Sequence, residues 1–209
     1  MVICEDLLFS HGAVTYSYDS GEYIFREGTI SKFYFQIQEG IVKINNFHEN
    51  GKEFIHGFPF KGHCFGESYL FTETPYGINA ITVSKCDLIK IEKQKFLKLL
   101  LENPELFLKI SNYTAERLHF RYLVSSFLSD NNPFIRITKL LDHIKKYFGY
   151  SEKYSFIVPY TRNQLASLTG LRVETVIRTI KKMEQDCRLE IKDNKIYYQL
   201  ILGLHLFLI

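Results

Sequence analysis

Glu174 and Arg178 are the residues whose types and spacing best suit a specific chemistry, and they lie in the run VETVIRTIKKME (173–184). Positions i and i+4 of a helix share one face, so both side chains would project in the same direction. Arginine can donate two hydrogen bonds to O6 and N7 of guanine, and glutamate can accept one from cytosine N4. The pair therefore fits the reading of DNA bases. The two residues can equally form an ion pair on a solvated face, and that alternative stays open.

A second helix precedes this run. Thr161 and Gln164 have the T-x-x-Q spacing of a capping box, which predicts a helix to about Leu168. Gly170 allows a tight turn, and the next helix should begin near Arg172 or Val173. Such a pair is a helix-turn-helix, whose second helix enters the major groove. The predicted DNA-binding residues are Thr161, Arg162, Arg172, Val173, Glu174, Thr175, Arg178 and Lys182.

The flanking elements complete a winged helix-turn-helix over residues 129–209. SDNNP (129–133) is polar and turn-rich, so it marks a domain boundary, and 134–148 reads as an amphipathic helix. RLEIKDNKIYYQL (188–200) reads as two short strands around Asp193-Asn194, which is a wing. Residues 129–209 hold 13 Lys/Arg and 8 Asp/Glu, a basic excess that suits a polyanionic partner.

The N-terminal part, residues 1–102, is predicted to be a β-domain. Short β-rich runs such as FYFQIQ (33–38), IVKINNF (41–47) and LIKI (88–91) alternate with glycine turns. Regular short strands with turn signals favour a small sandwich or barrel. The Gly51 turn fits a hairpin tip, and Lys93–Leu101 suits a short helix.

A long helix is predicted for residues 103–128, after the break at Asn103-Pro104. Seven residues recur at the 4-3 spacing of a coiled-coil seam. We interpret this seam as a homodimer interface formed by Leu106, Ile110, Tyr113, Arg117, Phe120, Val124 and Phe127. The alternative is that it packs on its own domain. A second apolar set, Ala115, Leu118 and Tyr122, lies off the seam, so one face could touch the β-domain and the other a partner helix.

Several other functions find little support. The four cysteines form no CxxC pair or other metal-ligand spacing, and isolated thiols suggest the reducing cytoplasm. We find no nucleophile–base motif and expect no enzymatic activity. The apolar tail LILGLHLFLI is far too short to span a bilayer, so we expect no membrane partner.

The chain resembles the CRP/FNR family of bacterial regulators over about residues 18–200. The signatures are GEYIFREGTISKFYFQIQEGIVKI (21–44), the later Gly62, Phe65, Gly66 and Glu67, and the TRNQLASLTGLRVETVIRTIKKME run (161–184). The resemblance implies an α+β chain with an N-terminal double-stranded, jelly-roll-like β-roll, a dimerisation helix and a winged helix-turn-helix. It also implies a homodimer that binds a palindromic site in double-stranded DNA and works with RNA polymerase, with Glu174 and Arg178 as the base-reading residues.

The resemblance places an effector pocket at Gly66, Glu67, Ser68, Tyr76 and Gly77. Cyclic-nucleotide-binding members carry Arg followed by Ser or Thr where this chain has Tyr76 and Gly77. Without that guanidinium the cyclic phosphate loses its charge-assisted contact, so we do not expect cyclic AMP to bind. Some relatives bind haem, which draws attention to His63 and Cys64, although a polar turn histidine is the preferred interpretation. Only Cys4 lies near the N-terminus, where iron–sulfur members carry a cysteine cluster.

We therefore predict a DNA-binding transcription regulator whose β-roll senses an effector that the sequence does not identify. A ligand-binding module acting on a protein partner is the alternative. The complete helix-turn-helix argues against that alternative.

Overall fold

A computed structural model describes residues 1–150 and 152–199, so the apolar tail LILGLHLFLI lies outside the described residues. The chain divides into two compact units, Met1–Phe120 and a second that begins at Arg121. No helix among the described residues is both long and apolar enough to cross a membrane.

The elements follow one another as predicted, with short additions. In chain order they are α1 (Glu5–Ser10), β1 (Val14–Tyr18), β2 (Tyr23–Phe25), β3 (Phe33–Glu39), β4 (Val42–Phe47), β5 (Glu53–Gly57), β6 (Cys64–Phe65), α2 (Ser68–Thr72), β7 (Asn79–Thr82), β8 (Cys86–Glu92), α3 (Lys93–Glu102), α4 (Glu105–Leu128), α5 (Pro133–Tyr147), β9 (Phe156–Ile157), α6 (Arg162–Thr169), α7 (Val173–Gln185), β10 (Leu189–Lys192) and β11 (Lys195–Tyr198).

The first unit is a β-roll of two four-stranded sheets. One has the strand order β1-β8-β3-β6 and the other β2-β7-β4-β5, and every pairing is antiparallel. Strand β1 pairs with β8 although Ser17 and Asp87, whose side chains bond across the ladder, are 70 residues apart. The predicted double-stranded β-roll is confirmed.

The sheet β1-β8-β3-β6 is covered on both faces. Side chains along its strands alternate between the two faces, and both sets include apolar residues. Phe35 and Leu88 point into a core shared with the second sheet. Tyr34 and Ile89, their neighbours in sequence, point to the opposite face, where helices cover them. Successive residues of a strand face opposite sides, so both neighbours can be apolar only when both faces are buried.

Helix α4 supplies part of that cover. Leu106 and Ile110, four residues apart on one helical face, lie in the same core as Phe96 and Leu99 of α3. The first residues of the predicted seam therefore pack on their own domain, as the alternative interpretation held.

Two turns of the β-roll depend on glycine. Gly40 joins β3 to β4 with φ +95°, and a Cβ there would lie 2.5 Å from the Lys85 carbonyl oxygen and the Cys86 Sγ. Gly51 forms the predicted hairpin tip between β4 and β5 with φ +78°. Only glycine adopts such backbone angles without strain.

The second unit contains the winged helix-turn-helix. Helices α5, α6 and α7 pack around an apolar core whose members include Ile137, Leu141, Leu165, Val176 and Ile180. Strands β10 and β11 form the predicted wing, and the two-residue strand β9, which the sequence analysis missed, adds a third strand beside β11.

Candidate nucleic-acid interface and effector pocket

The helix-turn-helix begins with a complete capping box. The Thr161 hydroxyl accepts a hydrogen bond from the Gln164 backbone N–H, and the Gln164 side chain accepts one from the Thr161 N–H. At the other end of α6, Gly170 takes the left-handed conformation that closes the helix. Three residues later α7 begins at Val173, as the sequence predicts.

Helix α7 separates apolar from polar residues sharply. Val176, Ile180 and Met183 are buried, and these positions repeat at helical spacing. Glu174 and Arg178 lie on the opposite face, exposed to solvent. Among the described residues, neither side chain forms an ion pair or a hydrogen bond. The alternative interpretation, an ion pair between Glu174 and Arg178, is therefore not observed.

The remaining predicted DNA-binding residues surround this face. Arg172 is the N-cap of α7 without a side-chain capping bond, and it is exposed. Thr175 is half-buried, and its carbonyl accepts a hydrogen bond from the Thr179 hydroxyl. The Lys182 ammonium lies 5.9 Å from the centre of the Phe134 ring. Val173 is the first, half-buried residue of the helix.

Arg162 connects the helix-turn-helix to the wing. Its Nη1 donates a hydrogen bond to the Asn194 carbonyl oxygen at 2.7 Å. Asp193 and Asn194 both have positive φ, as a tight two-residue hairpin requires. The predicted role of Arg162 in DNA binding stays a prediction, and in the free chain its guanidinium holds the tip of the wing.

In the β-roll, Glu67 is the centre of the predicted effector pocket. Its side chain is fully buried, and its Oε1 accepts hydrogen bonds from Arg117 Nη2 and, at 3.1 Å, from the Thr114 hydroxyl. Arg117 also donates to the Cys64 carbonyl oxygen at 3.2 Å. The guanidinium on α4 thus neutralises a carboxylate that water does not reach.

Arg117 and Tyr113, both predicted for the dimer seam, are therefore engaged within their own unit. The Tyr113 hydroxyl donates to the Cys64 carbonyl oxygen at 3.2 Å. In the second unit, Val124 and Phe127 line an apolar crevice with Leu140 and Leu168. Sequence spacing alone does not distinguish a seam that meets a second chain from one that covers its own core.

The other residues predicted for the pocket lie around a pair of stacked aromatic rings. Tyr76 is buried and stacks on Phe25, with ring centroids 3.7 Å apart. A Cβ on Gly66 would lie 3.1 Å from both of these rings. Gly77 is exposed, and its carbonyl accepts a hydrogen bond from the Asn46 side chain. Ser68 is the first residue of α2. No guanidinium stands at the Tyr76-Gly77 position.

His63 and Cys64 are the residues to which haem binding in some relatives draws attention. The His63 ring centre lies 4.1 Å from that of Phe60 and 5.3 Å from that of Tyr113, and burial lowers the pKa of His63 to about 4. Burial raises the pKa of the fully buried Cys64 thiol well above its usual value, which disfavours the thiolate that a haem iron would bind.

Both units match models of known protein families. The model of the cyclic nucleotide-binding domain matches residues 15–103, and the model of the Crp-like helix-turn-helix domain matches residues 136–200. The transcriptional activator protein FnrA of Stutzerimonas stutzeri is 28% identical over 181 residues, which cover 84% of this chain and 72% of that protein. The cAMP-activated global transcriptional regulator CRP of Salmonella typhimurium is 27% identical over 177 residues, or 81% of each chain.

The chain belongs to the CRP/FNR family of transcription regulators.

Solved structures agree with this assignment of the fold. The c-di-GMP-responsive global regulator CLP of Xanthomonas campestris has a TM-score of 0.79 at 21% identity, covering 93% of this chain and 97% of its own. A CooA variant from Carboxydothermus hydrogenoformans has a TM-score of 0.80 at 14% identity, covering 95% of this chain and 87% of the CooA chain. The CRP/FNR resemblance read from the sequence is confirmed.

The buried ion pair leads to a stability prediction. Arg117→Met should lower the free energy of unfolding by about 2–4 kcal/mol, because it leaves the buried Glu67 carboxylate without a counter-charge. Lys93→Met is the matched control: its partner Glu73 is exposed, so its loss should cost less than about 1 kcal/mol. Urea titration of both variants measures the difference. Equal losses would show that the Glu67–Arg117 pair does not stabilise the β-roll.

Proposed function

We propose that this CRP/FNR regulator is a homodimer that binds a palindromic operator through α7 and acts with RNA polymerase in the cytoplasm, by binding rather than by catalysis. The observation that carries the proposal is the exposure of Glu174 and Arg178 on the first turns of α7, opposite its buried face. The N-terminal part of such a helix is the part that contacts base edges in the major groove.

Base reading is tested by selecting operators from random DNA. Arg178→Ala should weaken binding to the selected site by about 1–3 kcal/mol per half-site, because it removes a bidentate base contact. Glu174→Ala should relax the preference at one base pair more than it weakens binding overall. Lys182→Ala is the control, because the loss of a phosphate contact would weaken binding to all sequences equally. It would also lower the slope of log Kd against log salt by about one. An unchanged palindrome for both base-reading variants would rule out their role.

Dimerisation through α4 stays a prediction, and the exposed side chains of the helix support one face for it. The seam residues Leu106, Ile110 and Arg117 contact their own unit. Leu108 and Leu118 lie on the other side of the helix, 66% and 48% exposed. With the small exposed residues Ser111 and Ala115 they follow the 3-4-3 spacing of a coiled coil. We therefore propose this stripe (Leu108, Ser111, Ala115, Leu118), which Tyr122 continues in sequence, as the surface that meets a second copy.

The double variant Leu108→Glu with Leu118→Glu should sediment as a folded monomer, because it places two carboxylates in the proposed contact without touching the β-roll core. Lys109→Glu is the matched control: it adds a carboxylate to an exposed position about 150° around the same helix from the stripe. It should remain dimeric. A double variant that sediments as a dimer would exclude this face.

We propose further that cyclic AMP is not the effector. Glu67 already accepts hydrogen bonds from Arg117 and Thr114, and a buried tyrosine stands where the phosphate-binding arginine is expected. A cyclic phosphate there would meet an aromatic ring instead of a cation and would lose its charge-assisted bonds.

Calorimetry with cyclic AMP at millimolar concentration should show no binding, and the affinity for the selected operator should not change on its addition. Tyr76→Arg supplies the control in the other direction, because it introduces a cation at the proposed phosphate position. Saturable micromolar binding to the unaltered protein would contradict the proposal.

A further inference from the structure

Arg136, a residue to which the sequence analysis gave no role, connects two turns of the second unit. It lies in the first turn of α5, and its Nε and Nη2 donate to the Asp130 carbonyl oxygen at 3.1 and 2.6 Å. Its Nη1 donates to the Thr169 carbonyl oxygen at 2.9 Å. One planar guanidinium therefore bonds to the segment that follows α4 and to the end of α6.

The Thr169 carbonyl is an acceptor that the helix itself cannot satisfy. Thr169 is the last residue of α6, and the final carbonyls of a helix have no partner within it. A cation at this end is also favoured by the helix dipole. Only Gly170, Leu171 and Arg172 separate this point from the start of α7, so the bond lies directly before the helix that presents Glu174 and Arg178.

The Asp130 carbonyl is placed by the end of α4. The Asp130 N–H donates to the Phe127 carbonyl oxygen at 3.1 Å, which continues the last turn of that helix. Leu128, the final residue of α4, also lies against the same turn, 3.6 Å from the position that a Cβ on Gly170 would take. The segment after α4 and the turn before α7 are thus held together by Arg136, and Leu128 lies beside the same turn.

We propose that Arg136 is a positioning residue for operator binding, which couples the segment between α4 and α5 to the turn that precedes the recognition helix. A rigid guanidinium keeps its hydrogen bonds to both carbonyl oxygens only while the distance between these oxygens is fixed, because hydrogen bonds weaken steeply with distance and angle. A displacement of the segment after α4 must therefore move the α6–α7 turn with it or break the Thr169 bond. This inference rests on the proposed function of α7.

The chain offers a closely matched control. Lys139 lies on the same helix and bonds to the same residue, but through the Asp130 carboxylate at 3.0 Å and, among the described residues, without a hydrogen bond to α6. Arg136→Met keeps an unbranched apolar stem and removes the hydrogen bonds to both carbonyl oxygens. Lys139→Met removes a partly exposed ion pair of small value.

The test compares the two full-length variants with the unaltered protein in two measurements. Arg136→Met should bind the selected operator roughly tenfold more weakly, with an unchanged slope of log Kd against log salt, whereas Lys139→Met should stay within about twofold. In hydrogen exchange, the amides of 129–132 and of 170–172 should exchange faster together in Arg136→Met alone. Arg136→Lys provides a second variant that keeps the charge, and its single ammonium should not restore both contacts.

Three results would overturn the proposal. The first is equal operator affinity for Arg136→Met and Lys139→Met. The second is faster exchange in only one of the two segments, or throughout the unit. The third is a salt slope lowered by about one, which would make Arg136 a direct phosphate contact. If neither the unaltered protein nor Lys139→Met selects any palindrome, the proposed function fails instead. The exchange measurement then still decides whether Arg136 couples the two turns.

Discussion

A sheet that must be covered on both faces determines much of this structure. The sheet β1-β8-β3-β6 turns Phe35 and Leu88 toward the second sheet and Tyr34 and Ile89 toward the helices. Because exposing the second face would leave large apolar side chains in water, α3 and the first turns of α4 have to lie on it. That requirement fixes which side of α4 faces the β-roll and leaves the opposite stripe uncovered.

The same placement explains why Glu67 can be buried. Once α4 lies on the sheet, Arg117 and Thr114 are carried to the carboxylate, and the charge is compensated within the unit. The contact falls at the position that the family resemblance assigns to an effector. A side chain of the protein therefore contributes the cation in this pocket, and the aromatic stack of Tyr76 on Phe25 occupies the space beside it.

The sequence predicted features that depend on neighbours along the chain. The capping box at Thr161, the turn at Gly170 and the spacing of Val176 and Ile180 are local signals, and each is confirmed. The two-residue strand β9 was missed because it exists only through its pairing with distant β11. The role of Arg136 could not be predicted, because its acceptors are main-chain carbonyls, which every residue carries.

The pairing of the first and last strands of one sheet has a consequence for the synthesis of the protein. Strand β1 is ready early, yet β8, the strand that pairs with it, follows some 70 residues later. At about 5–20 residues per second, the ribosome needs roughly 4–14 s to make that stretch. Throughout that interval Val14 and Tyr16 belong to an unpaired strand, which is the kind of segment that chaperones bind and that aggregates when left alone. In the winged unit the separation is smaller but not absent, since Tyr197 of β11 pairs with Ile157 of β9.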